Sequence, residues 1–371
     1  MSKIALDVRF WRSSTGGLGR YSRNLLTELL KIDQENQYTA IITPDDLKEF
    51  HLEQKNLTKL VVDIPHFSYA EQLTLPKILN KKTFDLVHFA NFNHPLHYRR
   101  PFVLTVHDLI MHLFPPEQSW IRRQAYKMVV NDCKRAEKII VPSQSTKDDL
   151  VRMLKFPAGK IVITPEGSES LFRLHDRSEI LSVRKKLQLP EKYLIFVSRW
   201  AKYKGLTALI EAFDIVRKKY PDLGLVICGK ADKQSPEIAE LIKEKQAAGE
   251  KIITPGFVDD KDLAAMYSAA AVYVHPSWYE GFGIMILEAF ASGVPVVTSN
   301  VSSLPEVVGD AGLLCDPRSP EEIARQIEKI LGDEKLAERL KMAGLKRVCQ
   351  YSWAKMAEQT LRVYKECLKK D

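Results

Sequence analysis

The chain has 371 residues, of which 45% are hydrophobic and 27% are charged, and its formal net charge is +8. This composition excludes a disordered chain, and the length favours two domains over a single core. The basic excess is compatible with a phosphorylated substrate, an anionic membrane surface or nucleic acid. No apolar run approaches the roughly 20 residues of a membrane-spanning helix, and residues 3–8 resemble a strand rather than a signal peptide. Five scattered cysteines without a C-x-x-C pair indicate reduced, buried thiols, so a cytoplasmic protein is expected.

The first half of the chain alternates predicted strands and helices, as in a parallel α/β domain. Predicted strands cover residues 4–10, 38–43, 60–64, 85–89, 102–107, 138–142 and 161–164, and predicted helices cover 20–32, 69–79, 119–136 and 145–154. Residues 173–192 are polar, charged and weakly patterned, which predicts the linker and entry to a second domain.

The alternation then restarts. Predicted strands cover residues 193–198, 223–228, 252–255, 271–274, 295–298 and 312–314, and predicted helices cover 204–220, 236–248, 259–269, 284–291, 321–331, 334–349 and 353–368. The sequence therefore predicts an α/β protein with two doubly wound domains, and a ligand site in the cleft between them.

The stretch from strand 271–274 to helix 284–291 carries the strongest functional pattern. The helix is apolar on nearly every side and therefore buried, yet it contains Glu288, and a buried carboxylate is costly unless it is paired. Glu280 precedes the helix, and Gly281 and Gly283 allow a ligand to approach the backbone at its N-terminus, which favours an anion. Singly, each glutamate is compatible with a solvated turn or a core ion pair. Together they favour a phosphorylated, hydroxyl-rich ligand.

A glycine-rich loop containing Gly16 and Gly17 follows the first strand and opens the first helix, where backbone amides often meet phosphate. Ser22 stands where the dinucleotide motif G-x-G-x-x-G requires its third glycine, and no P-loop pattern occurs. The loop alone is also compatible with an ordinary turn.

Polar residues follow two further predicted strands. His107 lies at the carboxyl end of strand 102–107, the edge where α/β sheets bind ligands, although a histidine satisfied within its loop explains this position equally well. Arg199 and Lys204 follow strand 193–198, and a forked cation beside a point charge suits a diphosphate. The remaining histidines of the region show no metal-ligand spacing, so no metal site is expected: His88, His94 and His97.

With these features located, the sequence resembles the retaining glycosyltransferase family 4, which has the GT-B fold, over nearly the whole chain. The most specific part is Glu280-x7-Glu288 with Gly281-Phe282-Gly283 between the glutamates. Arg199 with Lys204, the loop from Gly16 to Tyr21, and His107-Asp108 match the family's diphosphate clamp, glycine loop and donor-sugar histidine. Pro165-Glu166-Gly167 departs from the family's Pro-Asn-Gly, which leaves the role of that loop open.

The resemblance implies two Rossmann-like domains that face each other across a cleft. The acceptor-side domain would comprise residues 1–170 plus 353–371, and the nucleotide-sugar domain residues 171–352. The chain would cross back at Tyr351-Ser352-Trp353, so that the last helix packs on the first domain.

The implied activity is metal-independent transfer of a hexose from a nucleotide diphosphate sugar, a substrate rather than a cofactor, to a hydroxyl acceptor with the anomeric configuration retained. Implied catalytic residues are His107, Arg199, Lys204 and Glu280. Implied donor-binding residues are Gly16, Gly17, Arg199, Lys204, Gly256, Phe257, Val258, Glu280, Gly281, Phe282, Gly283, Ile284 and Glu288. Of these, Glu280 would bind the sugar hydroxyls, Glu288 the ribose, and residues 256–258 the base.

Within the family, Asp7-Val8-Arg9 and the Gly-Leu-Gly-Arg-Tyr segment look most like mannosyltransferases of bacterial polysaccharide and O-antigen assembly, which implies GDP-mannose. Alternatives are hexosyl transfer from a UDP-sugar, a binding subunit without catalysis, and an NAD-dependent oxidoreductase, against which the broken glycine motif counts.

The acceptor is expected to be a glycan or a lipid-linked glycan. Basic and apolar side chains of the first domain fit contact with the inner membrane face or, equally, a solvated surface: Arg99, Arg100, Phe114, Trp120, Ile121, Arg122, Arg123, Lys127, Lys134 and Arg135. No recognition motif concentrates the charge, so no nucleic-acid partner is expected.

Overall fold

The computed structural model describes residues 1–12, 15–115 and 120–369, without the side chain of Arg122. The chain divides into two compact units: unit 1 is Met1–Glu166 with Ser352–Asp371, and unit 2 is Gly167–Tyr351. The predicted boundaries at residues 170 and 352 lie slightly later than these. Ser119, at the start of a predicted helix, and the predicted basic contribution of the Arg122 side chain lie outside the described residues.

Unit 1 is built on one parallel sheet. Its strands are β1 (Lys3–Asp7), β2 (Gln37–Ile42), β3 (Leu57–Val61), β4 (Leu86–Phe89), β5 (Phe102–Thr105), β6 (Lys138–Val141) and β7 (Ile161–Ile163). Its helices before unit 2 are α1 (Gly17–Ile32), α2 (Pro44–Leu47), α3 (Tyr69–Leu73), α4 (Leu75–Asn80), α5 (Ile110–Leu113), α6 (Trp120–Asp132) and α7 (Gln144–Leu154). The strand order is β3-β2-β1-β4-β5-β6-β7, with Leu6 opposite both Ala40 and His88. The direction of winding therefore reverses between β1 and β4.

Unit 2 repeats this architecture. Its strands are β8 (Tyr193–Val197), β9 (Gly224–Cys228), β10 (Ile252–Gly256), β11 (Val272–His275), β12 (Val296–Ser299) and β13 (Leu313–Cys315). Its helices are α8 (Arg177–Leu187), α9 (Leu206–Arg217), α10 (Pro236–Ala247), α11 (Asp260–Ala269), α12 (Ile284–Ala291), α13 (Leu304–Val308), α14 (Pro320–Gly332) and α15 (Glu334–Val348). The strand order is β10-β9-β8-β11-β12-β13, which reverses between β8 and β11.

Both faces of the unit 2 sheet are buried. In β8, Tyr193 and Ile195 belong to one apolar cluster, whereas Leu194 and Phe196 belong to the cluster on the opposite face. Because successive side chains of a strand point to opposite faces, a strand covered on both sides is apolar throughout. This burial leaves the ends of the strands as the places where polar side chains gather.

The chain returns to unit 1 through α16 (Trp353–Leu368), which packs against α1. In α1 the buried face contains Tyr21, Leu25 and Leu29, as the helical spacing of these residues predicts. Among the described residues, no helix has both the length and the apolar character needed to cross a membrane. Four of the five cysteines are buried as predicted, whereas Cys349 is exposed.

Residues 173–192 lie in unit 2, but the prediction that they include a linker is wrong, because α8 lies within that segment. Asp176 accepts hydrogen bonds from the backbone of Ser178 and Glu179, and the Glu179 carboxylate accepts one from the Asp176 N–H, which completes a capping box. Val183 is the buried residue of this helix, so its apolar periodicity is weak and its start signal is the capping pattern. Two smaller differences concern element bounds. Predicted helix 69–79 is broken at Thr74, after which α4 begins with Pro76 in its first turn, and β3 begins before residue 60.

Candidate active site

The loops after β8 and β11 lie at the point where the unit 2 sheet reverses direction. Open α/β sheets bind ligands outside the carboxyl ends of the strands at such a point. The first loop carries Arg199 and Lys204, and the second carries Glu280. The loops touch at Gly205, whose φ is +70° and where an added Cβ would lie 1.9 Å from the carbonyl oxygen of Pro276. A glycine is therefore required for this close contact.

The carboxylate of Glu280 is held by the side chains of Lys204 and His275. Its Oε1 lies 2.6 Å from Lys204 Nζ and 2.8 Å from His275 Nε2, and the residue is 6% exposed. Burial opposes ionisation, but Lys204 and His275 outweigh it and lower the pKa of Glu280 to about 2. Within the described part of the chain, Oε2 accepts no hydrogen bond, so a buried and ionised carboxylate keeps one oxygen for hydroxyl groups of a ligand.

Sequence reasoning gave no role to His275 or Tyr273, which orient Glu280. An ionised Glu280 only accepts hydrogen bonds, so His275 Nε2 carries the proton it donates. The Tyr273 hydroxyl, 3.0 Å away, then donates to His275 Nδ1, and burial raises the pKa of Tyr273 well above its ordinary value. The sequence signal for these two roles was the presence of polar residues at alternate positions of the otherwise apolar strand β11, which puts them on the same face of the sheet.

Two serines outside the predicted site hold the turn before α12. The backbone N–H of Glu280 donates to Ser302 Oγ at 3.0 Å, and Ser303 Oγ donates to the carbonyl oxygens of Glu280 and Phe282 at 2.9 and 3.0 Å. Gly283 caps α12 with φ of +94°, and no side chain of the described residues caps this N-terminus. The helix end therefore retains the amide and dipole character that favours an anion.

Arg199 and Lys204 meet around the Tyr203 ring. An Arg199 terminal nitrogen donates to the Tyr203 hydroxyl at 2.9 Å, and Lys204 Nζ lies 5.1 Å from the ring centroid. Arg199 Nε also lies 3.2 Å from Asp232 Oδ2, and its side chain is 58% exposed. The two predicted clamp cations thus differ, because Lys204 is buried against Glu280 whereas Arg199 reaches solvent.

The other predicted donor residues occupy neighbouring parts of unit 2. Glu288 and Ile284 are buried within α12, and Phe282 is buried in the turn before it. Phe257 follows β10 and is 63% exposed, with Lys230 Nζ 5.5 Å from its ring centroid. Gly256 ends β10, Val258 is partly buried, and Gly281 lies in the turn before α12. The exposed ring of Phe257 is available for stacking.

The remaining predicted residues lie in unit 1, where β1 and β4 form the reversal point. Gly16 caps α1 with φ of +64°, and a Cβ added at Gly16 or Gly17 would meet no described atom within 4 Å. His107 follows β5, with Nε2 2.9 Å from the carbonyl oxygen of Ala90 and Nδ1 3.2 Å from Glu166 Oε1. The contact with Glu166 was not predicted, although the Pro-Glu-Gly departure marked the position.

A buried ion network lies at the carboxyl end of β1. Arg9 donates to Asp7 Oδ2 at 2.7 Å and to Glu71 Oε1 at 2.6 Å, and His66 lies 3.2 Å from the same Glu71 oxygen. Asp7, His66 and Glu71 are close enough together to hold a metal ion. Arg9 already supplies the positive charge between the two carboxylates, so the geometry is that of an ion-pair network and the residues do not fit a metal.

A cavity of about 420 Å³ lies beside this network in unit 1. Its lining residues are Arg9, Phe10, Arg12, Thr15, Thr43, Pro44, Asp45, Asp63, Pro65 and His66. The Phe10 and His66 rings stack with their centroids 3.6 Å apart, and Arg12 lies 3.7 Å from Asp45. Carboxylates, a guanidinium and a stacked aromatic pair offer both hydroxyl-binding groups and an apolar surface.

Comparison with known proteins matches both units to glycosyltransferase families. A family model described as Glycosyltransferase Family 4 matches residues 15–169, and one described as Glycosyl transferases group 1 matches residues 178–347. The O-antigen chain mannosyltransferase B of Escherichia coli is 34% identical over 286 residues, which are 76% of this chain and 74% of that protein.

Two further comparisons extend this result. The serotype-specific mannosyltransferase WbdA of Escherichia coli is 28% identical over 253 residues, which are 66% of this chain but 31% of WbdA. The crystal structure of HepE from Anabaena in complex with UDP-glucose has a TM-score of 0.80 at 18% identity, and the alignment covers 99% of this chain and 100% of that one. Two Rossmann-like units, both family matches and the mannosyltransferase relative together show that the chain is a glycosyltransferase of the GT-B fold and belongs to glycosyltransferase family 4.

Proposed function

We propose that the protein transfers mannose from GDP-mannose to a hydroxyl of a glycan or lipid-linked acceptor and retains the anomeric configuration. The observation that carries the proposal is Glu280, a buried and ionised carboxylate with Oε1 bound by Lys204 and His275 and Oε2 left to accept from sugar hydroxyls. The choice of mannose is supported by the relative that is 34% identical, an O-antigen chain mannosyltransferase.

The reaction separates charge in a way these residues suit. As the bond between C1 of the sugar and the phosphate oxygen breaks, its electron pair goes to the diphosphate and positive charge develops on the sugar. The acceptor oxygen bonds to C1 on the same face, and its proton passes to the leaving phosphate. Lys204, Arg199 and the uncapped N-terminus of α12 would stabilise the diphosphate, and removing one such group typically costs about 3 kcal/mol of barrier.

The nucleoside is assigned to the part of unit 2 that follows β10 and enters α12. Phe257 exposes most of its ring, so a base can stack on it, and Glu288 is proposed to hold the ribose. HepE, a structure of the same fold, binds UDP-glucose, which makes UDP-glucose the competing donor to test. At 18% identity that structure supports the fold and not the base.

The acceptor is assigned to unit 1, where the cavity lined by Arg12, Asp45 and Asp63 offers charged acceptors and donors to hydroxyl groups. A lipid-linked acceptor would bring the chain to the inner face of an anionic membrane. The exposed side chains of Trp120, Ile121 and Met128 on α6 support such a contact.

The test is a donor panel with mannose-terminated oligosaccharides as acceptors. Released nucleotide diphosphate gives the rate, and the one-bond coupling between C1 and H1 of the transferred mannose gives the anomeric configuration of the product. GDP-mannose is expected to support turnover with retention, and Glu280→Ala to reduce kcat by about 100-fold or more. The exposed Glu237→Ala in unit 2 is the matched control and should match the wild type. Turnover with UDP-glucose but not GDP-mannose, or an inverted product, would refute the proposal.

A further inference from the structure

The buried carboxylate of Glu166 faces His107 in unit 1. Glu166 is 7% exposed and follows β7, and its Oε1 lies 3.2 Å from Nδ1 of His107, which is 59 positions away in sequence. On the other side of the ring, Nε2 of His107 lies 2.9 Å from the carbonyl oxygen of Ala90, which follows β4. The imidazole is thus held between groups from two different strands.

Both ring nitrogens of His107 face acceptors. A neutral imidazole has one N–H donor and one acceptor nitrogen, whereas the imidazolium has two donors. A carbonyl oxygen and an ionised carboxylate only accept, so a neutral ring would leave one nitrogen facing an oxygen lone pair. The protonated ring satisfies both partners, and charge-assisted hydrogen bonds of this kind are the stronger ones.

The charged and titratable groups around the His107 ring favour its protonated, cationic form. Burial lowers the pKa of His107, but the hydrogen bond and charge of Glu166, the Ala90 carbonyl and the charge of Asp108 together raise it. Tyr21 of α1 packs edge-on against the ring, with centroids 4.6 Å apart. Burial, aided by the charge of His107, lowers the pKa of His88 in β4 to about 3, so His88 stays neutral.

We propose that Glu166 is a positioning residue of the transfer reaction, which holds the His107 side chain as an imidazolium fixed by hydrogen bonds to Glu166 and to the Ala90 carbonyl. The inference rests on the proposed function and on the family resemblance, which implies a donor-sugar role for His107. In this arrangement His107 contributes a fixed positive charge, since its two N–H groups are used within the protein. An amide at position 166 donates to Nδ1 and permits a neutral ring.

The sign of the pH dependence follows from the raised pKa of His107. The imidazolium and its pairing are fully present at low pH and are lost as the pH rises through the His107 pKa of the folded protein. Transfer activity is therefore expected to fall on an alkaline limb. Glu166→Gln removes the charge and offers an N–H to Nδ1, so it should move that limb to lower pH.

The first experiment is independent of activity. Long-range 1H–15N spectra of the histidine-labelled 371-residue chain give the protonation state of each ring, and signals that vanish in His107→Gln assign His107. At pH 7.5 the wild-type ring is expected to show two protonated nitrogens, and Glu166→Gln a neutral ring with the proton on Nε2. A neutral His107 in the wild type overturns the proposal, whatever the behaviour of the variant.

The second experiment compares pH profiles of kcat and KM. Glu166→Gln is expected to lower kcat by about tenfold at pH 7.5, as for loss of a hydrogen bond to a charged group, and to shift the alkaline limb downward. Glu166→Asp should restore part of both, because it keeps the charge. Glu53→Gln, an exposed carboxylate of unit 1, is the matched control. Loss of kcat with an unmoved limb would show a merely structural role. Absence of turnover in the wild type would count against the proposed function and leave the NMR result standing.

Discussion

Lys204→Met removes a cation from a buried pair and should destabilise unit 2. The Nζ–Oε1 distance is 2.6 Å, and the two side chains are 9% and 8% exposed. Burial would raise the pKa of Glu280, yet Lys204 and His275 lower it from 4.5 to about 2. At about 1.4 kcal/mol per pKa unit, the ionised form gains ~3 kcal/mol in the folded protein. We therefore expect a loss of about 3 kcal/mol in the free energy of unfolding at pH 7.

This loss should depend on pH. Because the pKa of Glu280 is lowered on folding, the wild-type pair stabilises fully above pH 4.5 and loses its contribution as the pH falls through about 2. The difference between wild type and Lys204→Met should therefore shrink in acid. In the variant, a 13C carboxyl titration should show Glu280 protonating at a higher pH than in the wild type.

The assay is native-state hydrogen exchange of α12 amides in increasing urea, which reports on unit 2 rather than on the whole chain. A double-mutant cycle with Glu280→Gln isolates the pair, and a coupling of about 3 kcal/mol is expected. Lys186→Met, which breaks an exposed pair with Asp262 in the same unit, is the matched control and should change stability little. Single-variant effects that add within about 0.5 kcal/mol would refute the reasoning.

Three further predictions address unit 1, the base and the membrane. Arg9→Met leaves two buried carboxylates without their guanidinium and should lower the free energy of unfolding by ~3–5 kcal/mol, measured by thermal unfolding at pH 7. Arg152→Met, at a side chain that is 72% exposed, is the control and should change stability little. Equal effects of the two changes would contradict the proposed role of the buried network. Phe257→Ala should weaken nucleotide diphosphate binding about tenfold by calorimetry, since it removes a stacking surface, and an unchanged Kd would exclude that ring from the base site. The double change Trp120→Ser and Ile121→Ser should abolish flotation with anionic vesicles; no recruitment of the wild type would refute membrane contact.

The spacing of residues close together in the sequence was sufficient to predict most of the strands and longer helices. The apolar stripe of α1 and the strand, turn and helix from β11 to α12 are read from neighbours along the chain, because each is set by spacing of 2 or about 3.6 residues. The helix α8 shows the limit of that approach. It buries little, so its periodicity is weak, and its capping box was the signal that a search for apolar spacing overlooks.

The sequence by itself determined two α/β units and predicted a set of residue types suited to a phosphorylated, hydroxyl-rich ligand. It placed Glu280 and Lys204 in separate roles, whereas the fold pairs them across 76 positions because β8 and β11 are neighbours in the sheet. It marked Glu166 only as a departure from a pattern, and the fold brings that carboxylate to His107 across 59 positions. Such contacts depend on strand order and on burial, which set charge states, and neither is encoded in the spacing of nearby residues.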